Sequence, residues 1–443
     1  MTTAGQIFPR SAAFSGERLM RIGGIDVGDL VAEYGTPLYV MDRAELVGRM
    51  RSYRAAFGPD VGIAYAAKAL CVTGVLQLAA AEGMHIDVAS GGELRAAQRA
   101  GVDMARVIFH GNNKSVEELE QAVELGVGRV VADSFAELSR LSAIAAERGR
   151  DVAILLRVTP GVEAKTHAFV RTGHDDSKFG FTMSAGLATQ AAEQAVALPG
   201  LTLVGAHCHI GSQIFEPEAF DAAASAMFGH LAELRAMGAP VEELNLGGGL
   251  GITYGADDIA PSIQEYAAKL LSSVEREADR HGVPLPRLFV EPGRSIAGPA
   301  GVTLYTVGTI KDIPGVRTYV SVDGGLSDHL RTALYGSRYT FAVAGDGEHD
   351  HAPGAGQRQV TIVGKNCESG DVLGRDVALA AKLAEGDLLA VAATGAYGHA
   401  MASNYNNLPR PAMVLVADGS AQLLVRRETI DDVVARDVPL DLG

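Results

Sequence analysis

Residues 61–109 read VGIAYAAKALCVTGVLQLAAAEGMHIDVASGGELRAAQRAGVDMARVIF. Three short apolar runs, 61–65, 85–89 and 106–109, are set apart by Ala-, Leu- and Glu-rich sequence, of which 91–100 has helical composition. Ser90 and Glu93 stand three apart directly after the second run, the spacing of a capping box at a helix start. The runs are too apolar for strands with one wet face and read as strands buried on both sides, as in parallel sheets. The alternation continues with runs at 129–132, 152–158, 202–207, 243–246 and 288–290 and helical stretches at 115–125, 135–148, 220–237 and 263–281. Eight strand-then-helix units in roughly 235 residues predict an α/β fold of the (β/α)8 TIM-barrel type. The competing arrangement is an open, doubly wound sheet.

Outward from that core the texture changes. Beyond residue 300 the runs 303–310, 318–322, 359–363, 388–392, 413–416 and 422–425 read as strands with little helix between them. Residues 1–42 lack the strand-helix rhythm, and 37–40 reads as another strand. The expected division is a barrel over 43–300 and a second, β-rich domain formed by the N- and C-terminal segments, 1–42 and 301–443. The stretch 346–356 is expected as a surface loop; its His349 and His351 have no rigid element to fix them as ligands, so no metal is expected.

The 443 residues are 47% hydrophobic and 21% charged, with a formal net charge of −15. So acidic a surface repels phosphate backbones, which excludes nucleic acid as an expected partner. Cys71, Cys208 and Cys367 show no metal-ligand spacing, and three scattered cysteines argue for a reducing compartment. With no signal-peptide pattern and no apolar run of membrane-spanning length, no membrane association is expected and the cytoplasm is the expected location.

Barrel enzymes build their sites at the carboxyl ends of the strands. The residues following each run are therefore candidates: Lys68, Ser90, His110, Arg157, His207 and His209, Gly247–Gly249, and Glu291 with Arg294. A lysine at a buried strand end suits Schiff-base chemistry, because desolvation lowers its pKa; the plainer reading is a lysine reaching the rim. Three glycines after one strand let backbone N–H groups approach an anion, and Gly293 with Arg294 after the next adds a cation. Glu291 suits a pyridine nitrogen that must stay protonated, or else a structural pair with Arg294.

The set Tyr65-Ala66-Ala67-Lys68-Ala69, His209-Ile210-Gly211-Ser212, Gly247-Gly248-Gly249 and Glu291-Pro292-Gly293-Arg294 resembles the alanine-racemase-fold group of pyridoxal-phosphate decarboxylases. His167 to Gly180, ending Asp176-Ser177-Lys178-Phe179-Gly180, Asp323-Gly324-Gly325, Arg331 to Tyr335, Cys367 to Asp371 and Gly395 to Gly398 look specifically like the diaminopimelate decarboxylase family. The ordered motifs run from about residue 30 to 420. The resemblance implies pyridoxal 5′-phosphate as cofactor and decarboxylation of meso-2,6-diaminopimelate to L-lysine. It implies that Lys68 bonds the cofactor, His209 stacks on the ring and Glu291 pairs with its nitrogen. Ser212, Gly249, Gly293 and Arg294 would surround the phosphate. Arg331 and Tyr335, with Arg294, would hold the substrate's carboxylates, Glu368 its far amine, and Tyr397 would touch both cofactor and substrate. Cys367 would donate the final proton, a task a weakly acidic thiol can perform. It further implies a homodimer with Cys367 and Glu368 lent across the interface. Lys165 and His399 depart from the residues expected there.

Two other readings stand beside this one. The first is a pyridoxal-phosphate decarboxylase for another amino acid, including a D-amino acid or a carboxylated polyamine precursor. The second is a catalytically inactive paralogue that regulates an active relative, against which the presence of both Lys68 and Cys367 argues.

Overall fold

A computed structural model describes residues 7–162, 176–239, 241–346 and 356–442. The expectations attached to Lys165, His167, His349 and His351 fall outside them. The chain divides into two compact units: 49–252 with 259–296, and 1–48 with 253–258 and 297–443.

In the first unit eight parallel strands close into a barrel: β1 (Gly62–Ala66), β2 (His85–Val88), β3 (Val107–Phe109), β4 (Arg129–Ala132), β5 (Val152–Thr159), β6 (Leu201–His207), β7 (Glu243–Asn245) and β8 (Arg287–Val290). All eight runs read from the sequence are strands. Each pairs with the next, and β8 pairs with β1 through Phe289↔Gly62 and Val290↔Ile63, which closes the ring and excludes an open sheet. A short strand, Phe181–Thr182, adds to β5 without breaking the circle. Ala64, Ile108, Val131, Leu155 and Phe289, at most 2% exposed, fill the interior. The barrel is a packed core and not a pore, as expected for eight strands.

Local chemistry sets the helix ends. Ser90 caps Gly91–Arg99 by accepting from the Glu93 N–H, while Ser115 and Ser262 form reciprocal capping boxes with Glu118 and Glu265. Each cap satisfies backbone donors that the helix itself cannot, worth roughly 1 kcal/mol apiece. Helices Phe135–Arg148 and Ile263–His281 match their expected bounds.

In the second unit the strand Gly301–Ile313 is the hub. It pairs antiparallel with Leu388–Ala392, Leu38–Asp42 and Arg317–Val322 along successive stretches. Leu38–Asp42 also pairs in parallel with Ala412–Ala417. The N-terminal segment thus joins a β-rich unit built mainly from the C-terminal part of the chain. The sequence reading passed over the helix Val27–Tyr34 and the strands Phe341–Ala344 and Val372–Ala380. Val372–Ala380 contains Gly374, Arg375 and Asp376, with Asp376 at φ +52°, so it carries little of the apolar signature of a strand.

The barrel seam yields a direct test. A Cβ on Gly62 would lie 2.2 Å from the Phe289 ring. Gly62→Ala is expected to cost about 1–3 kcal/mol by overpacking, read as a lower midpoint in urea unfolding; an unchanged midpoint would mean the seam tolerates a methyl group.

Candidate active site

Within the barrel unit the carboxyl ends of the strands bring together a set of buried polar groups. Glu291, directly after β8, is 4% exposed. Its Oε1 accepts from Asn245 Nδ2 on β7 at 2.7 Å and lies 2.8 Å from Nε2 of His110, which follows β3. Its Oε2 lies 3.2 Å from Nε2 of His207 on β6. Burial alone would raise the Glu291 carboxyl, but His110 and then His207 outweigh it and hold the group well below the usual carboxylate range. His207 itself is pushed down to about 4, chiefly by burial, so at neutral pH it is an uncharged donor. The ligand-capable atoms of His110, His207 and Glu291 lie within 4.8 Å of one another, and they satisfy each other by hydrogen bonds.

Lys68 lies in the turn Ala67–Ala69 after β1. Of the two readings the sequence left open, the structure shows the rim one: 42% of its side chain is exposed, and Nζ lies 3.6 Å from Oδ2 of Asp87 on β2. It is a rim lysine held by a carboxylate. Asp87 also sits 3.7 Å from His110 Nε2, so Lys68 and Glu291 are joined through Asp87 and His110. Burial, partly offset by His110 and Lys68, raises the Asp87 carboxyl above its ordinary value.

His209 is also held in this group. Its Nδ1 accepts from the Gly248 N–H at 3.3 Å, which fixes the ring's orientation. Desolvation, with Lys68 charge next, keeps its imidazole well below the usual value and therefore neutral. Beside it, Gly249 adopts φ +122°, and a Cβ there would lie 2.5 Å from the Gly211 carbonyl oxygen. Only glycine fits that backbone conformation. Arg294, 5% exposed, donates from Nε and Nη2 to Ser212 Oγ at 3.1 and 2.9 Å. Gly293 turns the chain into the short helix Arg294–Ala297 and accepts from the Ile296 N–H at 3.0 Å. Lys68, His209, Ser212, Gly249, Glu291, Gly293 and Arg294 thus share one end of the barrel. This donor set fits pyridoxal phosphate: a glycine turn with a buried arginine and a hydroxyl for the phosphate, a neutral imidazole for the ring face, an anionic carboxylate for the ring nitrogen and an amine for the aldehyde.

In the β-rich unit a second group forms around Arg331, which opens the helix Arg331–Tyr335 and is 7% exposed. Its guanidinium carbon lies 5.5 Å from the ring centroids of Tyr254 and Tyr335 and 5.7 Å from that of Tyr397. Nη2 donates to Ser337 Oγ at 3.2 Å, and Nε is buried without a hydrogen-bond acceptor. Tyr254 arrives from the excursion 253–258, which packs with this unit although it lies between barrel elements in sequence. Just before the helix, Asp328 accepts from the Gly325 N–H at 2.8 Å and from the Tyr305 hydroxyl. The Tyr39 hydroxyl donates to the Asp328 carbonyl oxygen, and His399 packs edge-on against Tyr39 at 5.7 Å. The unexpected histidine is therefore a packing neighbour in this unit.

Cys367 and Glu368 do not join Arg331 within this unit. They are exposed, on a turn clamped by the buried Asp371, which accepts from the Asn366 N–H at 2.8 Å and the Leu326 N–H at 2.7 Å. The sequence reading missed Asp87, Asn245 and Tyr254. The first two are polar residues in short strands that also carry His85 and Glu243, so the signal in HIDV and ELN is too short to weigh alone.

Comparison with known proteins places these residues in a wider set. The family model described as "Pyridoxal-dependent decarboxylase, pyridoxal binding domain" matches residues 43–298. The chain is 47% identical over 428 residues to a diaminopimelate decarboxylase of Bacillus subtilis (strain 168), covering 96% of each. It is 45% identical over 444 residues to one of Mycobacterium tuberculosis (strain H37Rv), covering 98% of each. A crystal structure of diaminopimelate decarboxylase from M. jannaschii in co-complex with L-lysine superposes with a TM-score of 0.89 at 34% identity, covering 97% of this chain and 98% of that one.

Asp328 supplies a pH test of the scaffold beneath Arg331. Burial raises its carboxyl from 3.8 to about 7. The proton it binds on folding stabilises the native state fully below pH 4, and that contribution is lost as pH rises through 7. Asp328→Asn should therefore flatten the decline of unfolding free energy between pH 4 and pH 8 by on the order of a few kcal/mol. Parallel curves for the two proteins in denaturant titrations would remove Asp328 from this role.

Proposed function

Because the chain belongs to the diaminopimelate decarboxylase family of pyridoxal-dependent decarboxylases, we propose that it converts meso-2,6-diaminopimelate to L-lysine and CO2. The observation that carries this reading is near-full-length identity of 42–47% to diaminopimelate decarboxylases, together with a Lys68–Asp87–His110–Glu291 chain suited to the cofactor. When bound, pyridoxal phosphate supplies an aldehyde for the substrate amine and a protonated ring that takes up the electron pair released as CO2 leaves.

The residues divide that work. Lys68 would hold the cofactor through its aldehyde, and Asp87, 3.6 Å from Nζ, would keep the lysine amine close to it. Glu291, anionic among three donors, keeps the ring nitrogen protonated. His209 covers one ring face. Ser212, Arg294 and the backbone around Gly249 and Gly293 neutralise the phosphate. Arg331 takes the substrate's far carboxylate in a bidentate pair, with Tyr335 and Tyr397 beside it, and Glu368 takes the far amine. Arg294 also reaches the substrate. Cys367 carries the proton that ends on the α-carbon.

The proposal extends to assembly and location. We assign the barrel domain to 43–300 and the domain completing the active site to 1–42 with 301–443; the family match over 43–298 supports the first. We also propose a homodimer in which Cys367 and Glu368 serve the partner's site. Their exposure on a turn held rigid from behind supports this. All three cysteines are free, which supports a cytoplasmic location.

The reading is tested by supplying pyridoxal phosphate with D-, L- and meso-diamino acids and measuring CO2. Release confined to meso-diaminopimelate is expected, and release from ornithine or lysine instead would overturn it. Arg331→Ala should lower kcat/KM for diaminopimelate by roughly 100-fold or more, on the order of the 2–5 kcal/mol lost when a buried charge pair is truncated; a loss below tenfold would take Arg331 out of carboxylate binding. Mixing inactive Lys68→Ala and Cys367→Ala proteins should restore part of the activity through hybrid dimers. No recovery, with subunit exchange demonstrated by mass, would mean that each chain builds its site alone.

A further inference from the structure

The opposite end of the barrel carries a second concentration of charge that the proposed reaction does not use. A cavity of about 880 Å³ opens among the residues that enter β8, β1, β2 and β3, within the size range of small-molecule sites. In a chain of net charge −15 this cavity is lined by Arg54, Arg106 and Arg287 together with His85. Asp60 and Glu275 also line it, but both are exposed and neither comes within ion-pair distance of these arginines among the described residues.

Arg54 and Arg106 are held by backbone carbonyls and not by carboxylates. Arg54 donates through Nη1 to the Glu82 carbonyl oxygen, and Arg106 donates through Nη2 to the Gly83 carbonyl oxygen. Two guanidiniums therefore converge on one turn, each using a single donor on the backbone. Gly83, at φ +73°, leaves room for this: a Cβ there would lie 2.1 Å from Arg54 Nη1. Arg106 Nε is buried with no acceptor. Arg287 lies over the Phe289 ring at 5.0 Å, and its nearest carboxylate, on Glu243, is 4.0 Å away and already bonded by Arg129. The field here is net positive: burial first, and then Arg106 and Arg287, hold the His85 imidazole down at about 4.

The amino-terminal face of a barrel ordinarily serves stability. Arg106 Nε, buried with no acceptor, adds nothing to stability, since an unsatisfied buried N–H costs free energy; Arg54 is exposed, and among the described residues neither guanidinium is paired with a carboxylate. They are well suited to an anion arriving from solvent. A carboxylate presents two oxygens and satisfies one guanidinium fork. A phosphoryl group presents three and can engage both Arg54 and Arg106. Phe57, Leu271 and Leu285 line the remaining wall and would meet an apolar or aromatic body attached to that group.

We propose that this cavity is a binding site for a phosphorylated small molecule, gripped by Arg54 and Arg106 and separate from the cofactor end of the barrel. The inference does not rest on the assignment of the reaction. The test uses the holoenzyme, in which the cofactor's phosphate site is already filled. Inorganic pyrophosphate and adenosine 5′-triphosphate are each titrated calorimetrically in metal-free buffer, with and without diaminopimelate.

Saturable binding that diaminopimelate does not displace is expected, and Arg106→Gln should weaken it at least tenfold without altering turnover. Leu285→Glu, at an exposed wall position, should also weaken it by charge repulsion while leaving the core intact. Tighter binding of the nucleotide than of pyrophosphate would support an organic phosphate as occupant, and equal binding would support the free inorganic anion. Absence of saturable binding, or affinities unchanged by both substitutions, would overturn the proposal. Displacement by diaminopimelate would overturn it too, because the anion would then be occupying the cofactor end.

Discussion

An ionised carboxylate at the centre of a packed barrel must be matched by donors, and Glu291 is matched by three. Removing a carboxylate from water costs several kcal/mol unless hydrogen bonds replace the hydration. Here Asn245, His207 and His110 replace it, each from a different strand or strand end. Register supplies the first two, since His207 pairs with Asn245 and Asn245 pairs with Phe289, two residues before Glu291. The anion therefore depends on the barrel being closed in this register. A second acid shares His110 and meets the opposite fate, because burial raises Asp87 while Glu291 is held low. The two carboxyls thus stand in different environments: Glu291 among three donors, and Asp87 beside the Lys68 amine.

The cation in the β-rich unit is arranged on the opposite principle. Arg331 is nearly buried, yet aromatic faces surround it where a carboxylate would be expected. Tyrosine rings stabilise a guanidinium by roughly 1 kcal/mol each at such sites without occupying its donors in the plane. An acidic partner would have used those donors, leaving the guanidinium unable to bind a carboxylate from outside. The cage thus offsets part of the desolvation cost while keeping the cation available for an acidic ligand.

These arrangements were unequally legible in the sequence. The barrel was readable because β-strands covered by helices on both faces are mostly apolar, as in ILL and LFV. The β-rich unit was only partly readable. Val372–Ala380 is interrupted by Gly374, Arg375 and the positive-φ Asp376, and the short strands of the first 26 residues are too brief to show a period. The residues at the barrel mouth were found because they follow strands. For Lys68 two readings stayed open, since nothing in YAAKA tells a desolvated amine from one reaching solvent beside an acid; the structure shows the second. Asp87 and Asn245 were hidden for the converse reason, as single polar residues inside strands acquire meaning only when the barrel brings them to Lys68 and Glu291. Tyr254 was invisible because its partner Arg331 lies 77 residues away in sequence, and 253–258 sits between barrel elements in the chain while packing with the β-rich unit.

The same dependence of site on scaffold extends one layer deeper, at the loop that carries His110. Lys114, 2% exposed, donates from Nζ to the Gly111 carbonyl at 2.8 Å, the Val131 carbonyl at 2.8 Å and Glu137 Oε1 at 2.7 Å. All three ammonium protons are used. Burial lowers the Lys114 amine and raises the Glu137 carboxyl in spite of their contact, so desolvation outweighs attraction and the pair adds little to net stability. What it provides is position. It ties the loop after β3 to β4 and to the helix after β4, and breaking it would leave a lone buried charge at a cost of about 3–5 kcal/mol. The loop cannot drift without incurring that cost, so His110 stays between Asp87 and Glu291. A buried ion pair that contributes little to folding thus determines where the barrel's central anion finds one of its donors.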